Sequence, residues 1–130
     1  MPISNQIEGK KAAVTTTVNH TNTAKAVKSG SVEVFATPMM AALMEQAACL
    51  CLVDELDPGT TSVGTAINIM HTAPSAPGEE VTAVAEIEHV FGRKVEFLVY
   101  ARDSGGEIGS GRHTRVIVDE RQFMDKAHGR

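Results

Sequence analysis

The stretch FATPMMAALMEQAACLCLVDEL, residues 35–56, decides the fold. It has helical length, and before Asp54 only Glu45 and Gln46 interrupt its apolar character. Thr37 suits the N-cap and Pro38 the first helical position, while DPGT at residues 57–60 marks the stop. A helix that is apolar all round is expected to be covered all round. Within it, an ionised Glu45 without partners would cost several kcal/mol or be driven to the neutral form. Glu45 therefore needs either a structural partner or a task.

The segments on either side show what covers the helix. Residues 11–20, KAAVTTTVNH, are rich in β-branched side chains and read as a first strand; residues 21–32, TNTAKAVKSGSV, are small and polar and read as a flexible loop. Four strand patterns follow the helix. In TSVGTAINIMHTA, alternation places Val63, Thr65, Ile67, Ile69 and His71 on one face; EEVTAVAEIEHV groups Val81, Ala83, Ala85 and Ile87. RKVEFLVYARD groups Val95, Phe97 and Val99, and EIGSGRHTRVIVD is the last strand, weakened by Gly109 and Gly111. The turns APSAPG, FGRK and DSGG are short, so neighbouring strands form antiparallel hairpins. The expected fold is α+β, with a curved antiparallel sheet wrapped around one long central apolar helix, the hot-dog arrangement. A second subunit would cover what the sheet leaves open. The alternative is an α+β sandwich with the helix on one face. Residues 1–130 form one domain, and the tail at 119–130 is expected to fray.

Composition narrows the function. The net charge of -4 speaks against a general nucleic-acid binder, and the basic spots Lys10–Lys11, Arg93–Lys94 and Arg112/Arg115 are each too small for one. The N-terminus has no hydrophobic signal region and no apolar run approaches a membrane span, so a cytoplasmic protein without membrane contact is expected. Cys49 and Cys51 lie two apart on the helix and point to different sides; they read as buried thiols in a reducing compartment. The histidines outside position 71 are scattered without metal-ligand spacing, and no metal site is expected. GSG at 109–111 does not complete a G-x-S-x-G elbow.

Three polar positions are candidates for chemistry: Thr37 at the helix start, Glu45 within the helix, and His71 at the end of an apolar strand face. Each also has a structural reading, as an N-cap, a hydrogen-bonded core carboxylate and a satisfied edge histidine. Only the fold can bring them together.

The segments VFATPMMAALMEQA, GTAINIMHTAPSAPG and EIGSGRHTRVIV closely resemble the hot-dog acyl-CoA thioesterases of the fluoroacetyl-CoA thioesterase type, in the same order over roughly residues 33–123. The resemblance implies a catalytic constellation of Thr37, Glu45 and His71. It further implies substrate contacts at Gly64 and Arg115, and a homodimer, open to further assembly, with sites at or near the subunit interface. It implies no cofactor beyond the coenzyme A carried by the substrate. In that family the segment before FAT holds an aromatic lid over a small substrate. Here TNTAKAVKSGSVEV is shorter and has no aromatic residue, so the expected substrate is a small or medium acyl-CoA rather than fluoroacetyl-CoA specifically. Thioester hydrolysis needs a nucleophile or base, for which Glu45 is suited, and stabilisation of the carbonyl oxygen, which an N–H near Gly64 would supply. Two other readings of the same fold are a non-catalytic acyl-CoA binding module and a hydratase or dehydratase. HTAPSAPG at 71–78 echoes a dehydratase motif, but it follows the helix where that motif precedes it.

Overall fold

A computed structural model describes residues 3–130. After a single 3-10 turn at Asn5–Ile7 come β1 (Lys11–Thr17), a short helix α1 (Ala24–Val27), the long helix α2 (Thr37–Leu52), and four strands. These are β2 (Thr60–His71), β3 (Glu80–Phe91), β4 (Lys94–Asp103) and β5 (Gly106–Asp119); a last helix, α3 (Glu120–His128), closes the chain. The five strands form one antiparallel sheet in the order β1-β3-β4-β5-β2, so β1 and β2 are its edges.

Strand alternation supplies the inner face. Val81, Ala83, Ala85 and Ile87 of β3, and Val95, Phe97, Val99 and Ala101 of β4, are buried against Met40, Leu43, Met44, Ala47, Ala48, Cys51 and Leu52 of α2. Alanines on both partners let helix and sheet approach closely. The larger side chains each contribute about 1.5–3 kcal/mol by leaving water.

The sheet covers one side of α2, in line with the expected partial cover; several other expectations are corrected. The other side presents Ala42, Glu45, Gln46, Cys49, Leu50 and Val53 in an open groove, with Leu50 48% and Val53 58% exposed. Cys49 is therefore an exposed thiol; only Cys51 is buried, its Sγ 3.3 Å from the Ala85 carbonyl and its pKa pushed up to about 11 by burial. Thr37 is not the cap. Ala36 holds that position without a side-chain bond, which leaves the Thr37 hydroxyl free for another partner. Residues 21–32 are not a featureless loop: the Thr23 hydroxyl accepts from the Ala26 N–H to start α1, Thr23 pairs with Phe35, and Asn22 and Thr23 are buried. The tail is helical from Glu120, capped by the Asp119 carboxylate, although none of its residues is buried.

The largest correction lies in β2. Its pairing with β5 slips between Gly64 and Ala66, leaving Thr65 as an extra residue. A regular strand would put Gly64 and His71 on opposite faces because they are an odd number of residues apart. The bulge reverses the alternation, so Ser62 and Gly64 share the helix-facing side with Ile69 and His71. The expected face of Val63, Thr65, Ile67, Ile69 and His71 is broken at that point. β5 is likewise the longest strand despite Gly109 and Gly111, and its glycines are there for room. A Cβ on Gly109 would lie 2.7 Å from both Met40 Cε and the Met70 carbonyl oxygen, and one on Gly111 would strike the Asn68 carbonyl.

Candidate active site

The structure sorts the sequence candidates into two clusters. The first sits where α2 begins. Thr37 Oγ1 lies 2.8 Å from His71 Nδ1, joining the first turn of α2 to the last residue of β2. The His71 Nε2 atom is buried without a hydrogen-bond partner among the described residues. Burial pushes the His71 pKa below its ordinary value, so the ring is neutral at pH 7. Beside the pair is a hollow of about 370 Å³, lined by Val32, Val34, Phe35 and Ala73 among others.

The second cluster lies two helical turns further along α2. Glu45 Oε2 is 3.1 Å from Arg115 Nη1, and its side chain is 42% exposed. It is therefore not a carboxylate stranded in oil, because one side meets a guanidinium and the other meets the open groove. Arg115 is buried and held from β2, with Nε donating to Ser62 Oγ at 2.8 Å and Nη2 to the Ser62 carbonyl at 3.1 Å. Gly64 faces the same point: a Cβ there would lie 2.6 Å from Glu45 Oε2 and 3.3 Å from Arg115 Nη1. Only a residue without a side chain lets β2 pass so close to the carboxylate. His113 completes the cluster, 2% exposed, with Nε2 3.1 Å from Arg115 Nη1.

Glu45 therefore meets Gly64 and Arg115, while Thr37 meets His71. No hydrogen bond joins the two groups within the described residues. Thr37 and Glu45 are eight residues apart on α2, about 12 Å along its axis. His113 and Ser62 escaped the sequence reading, which tested histidines for metal spacing. The available signal was the pair His113 and Arg115, two apart on one strand and so on one face. Among the described residues no group of three or more His, Cys, Asp or Glu is placed to hold a metal ion. No helix among them is long and apolar enough to cross a membrane.

A family model described as fluoroacetyl-CoA-specific thioesterase matches residues 18–121. The chain belongs to that family. It is a thioester hydrolase of the hot-dog fold. The fluoroacetyl-CoA thioesterase of Streptantibioticus cattleyicolor is 45% identical over 94 residues, 72% of this chain and 68% of that one. A solved structure of the fluoroacetyl-CoA thioesterase matches with a TM-score of 0.90 at 35% identity, over 95% of this chain and 96% of that one. A single-residue variant of the fluoroacetyl-CoA-specific enzyme, solved with fluoroacetate and CoA, matches with a TM-score of 0.85 at 36% identity over 89% of this chain and 98% of that one.

Proposed function

We propose that the protein hydrolyses a small or medium acyl-CoA to the free acid and CoA, at a site built from Thr37 and His71 of one chain and Glu45, Gly64 and Arg115 of a second copy. The observation that carries this reading is the division of the site into two clusters along one edge strand. Gly64 and His71 share a face of β2 but stand roughly 20 Å apart along it. The outer edge of β2 has no neighbour among the described residues, and Met70 of that strand is 68% exposed. A long edge without charged side chains is a pairing surface. An antiparallel pairing of two β2 strands about a two-fold axis between Ile67 and Asn68 sets Gly64 of one copy opposite His71 of the other, on the same face. Each dimer then holds two complete sites.

In that site Glu45 attacks the thioester carbonyl carbon, or takes a proton from a water that does. The developing oxyanion is met by a main-chain N–H at the Gly64 edge of β2 and by the nearby Arg115 guanidinium. Collapse breaks the carbon–sulfur bond and releases the CoA thiolate, a good leaving group. If Glu45 is the nucleophile, water then cleaves the acyl–Glu45 anhydride. His71, tied to Thr37 through Nδ1, presents Nε2 to the reacting groups and carries the proton. No aromatic side chain stands between Thr21 and Val34, which supports a broader acyl scope than fluoroacetyl alone. The free thiols Cys49 and Cys51 suit the reducing cytoplasm.

The test is thiol release from acyl-CoAs of increasing chain length, with fluoroacetyl and aryl-acetyl members, by wild type and Glu45→Gln. Turnover of small or medium members that falls by about 1,000-fold or more in the folded variant is the expected result. Binding of acyl-CoA without turnover of any member would replace hydrolysis by a non-catalytic binding role.

A further inference from the structure

We infer that His113 is a positioning residue, which, held as a single neutral tautomer, fixes the Arg115 guanidinium and through it the Glu45 carboxylate. The inference rests on the proposed role of Glu45 but is carried by a separate set of contacts. His113 lies on β5 opposite Ile67 of β2 and Phe97 of β4, its ring stacked on Phe97 at 6.0 Å and 26°. Its Nδ1 is 2.8 Å from the Ala66 carbonyl oxygen, and its Nε2 is 3.1 Å from Arg115 Nη1. A carbonyl oxygen only accepts, so Nδ1 must carry the hydrogen. A guanidinium only donates, so Nε2 must offer a lone pair. Both conditions together leave one protonation state, the neutral Nδ1–H form.

Two further contacts agree. Nε2 is 3.8 Å from Glu45 Oε2, beyond hydrogen-bond reach, as expected of two acceptors side by side. Burial, and the neighbouring Arg115 charge, hold the ring's pKa below its ordinary value against the opposing pull of the Ala66 carbonyl and Glu45. Glu45 from α2 and Arg115 from β5 are the charged groups that face the ring, and Phe97 from β4 is neutral.

Arg115 Nη1 thus divides its two hydrogens between His113 Nε2 and Glu45 Oε2, while Nε and Nη2 are held by Ser62. Ser62 anchors one end of the fork and His113 aims the other. Protonating His113 removes the acceptor and sets two cations against each other. The guanidinium then swings away and Glu45 loses its partner. An acid limb in kcat follows that belongs to His113, which acts through Arg115 on Glu45.

Two variants and one spectrum test this. His113→Gln retains an oxygen near the Nε2 position but cannot titrate; His113→Phe keeps the apolar volume without an acceptor. Expected are a kcat within about 5-fold of wild type for the Gln variant, with its acid limb lost or moved, and a kcat reduced up to about 100-fold for the Phe variant with little change in KM. An acid limb unchanged in His113→Gln, or wild-type kcat in a folded His113→Phe, overturns the inference. Nitrogen-15 spectra of labelled histidine read the tautomer without any turnover. A protonated Nδ1 and bare Nε2 at pH 7 support the lock, and the opposite tautomer or an imidazolium refutes it. If wild type has no activity, that spectrum still decides the lock, while the thioesterase reading fails by itself.

Discussion

The two halves of the proposed site are built in opposite ways. At the start of α2, Thr37 and His71 make a single hydrogen bond, and the far nitrogen of the imidazole has no partner among the described residues. In mid-helix, Glu45 ends a chain of four groups in which Ser62, Arg115 and His113 fix one another. One half is left adjustable, and the other is held before any ligand arrives. The contrast fits a division of labour in which the held half supplies charge at a set point and the looser half shuttles a proton as bonds change.

The sharpest way to break the comparison is to put each defect in a different chain. His71→Ala and Glu45→Gln are each expected to be inactive alone. Mixed and allowed to exchange subunits, half of the dimers combine both chains, and each of those has one intact site. About a quarter of wild-type activity should return. Recovery near zero in demonstrably exchanged dimers would place both halves in the same chain.

Gly64→Ala probes the held half next. The added methyl meets Glu45 Oε2 at 2.6 Å, the end of a flexible side chain with open groove on its other side. Glu45 should turn away, lowering kcat by about 10- to 100-fold with little change in melting temperature. Equal losses of activity and stability would mean that the strand itself had shifted.

The smallest effect separates the halves by acidity. Burial holds His71 and His113 below their ordinary value of 6.5. A depressed imidazole pKa means that the unfolded chain takes up the proton first. The stability these rings contribute is complete above about pH 6.5 and is lost as pH falls through their folded values. Thermal melts should be level from pH 7 to 8 and decline below 6.5. Replacing the buried His113 should flatten that decline more than replacing the half-buried His71. An identical slope in both variants would erase the difference between the halves.

Much of this was legible beforehand. The period-2 runs in β3 and β4 and the apolar length of α2 name their own buried faces, because alternation and burial are local. Thr37, Glu45 and His71 were singled out by residue type and by resemblance. Their distribution over two clusters was not readable, because it depends on an extra residue in β2 that no turn or proline announces. α1 was missed because Thr23 caps only one turn, and Lys28 closes it with a φ of 62°, a conformation usually left to glycine. Cys49 was misplaced because apolar composition does not say which side of a helix the sheet will cover.

The bulge at Thr65 also constrains how this lineage can drift. Loops at either end of β2 can gain or lose residues freely, since they only alter the surface. Between Gly64 and His71 a single deletion can be absorbed by losing the bulge, because six residues of regular strand still set both ends on one face, whereas a single insertion turns the two halves of the proposed site to opposite sides of the sheet. Length there is free to fall by one but not to rise by one. The stretch between those two residues should therefore keep its present count, or one fewer, long after it has stopped keeping its letters.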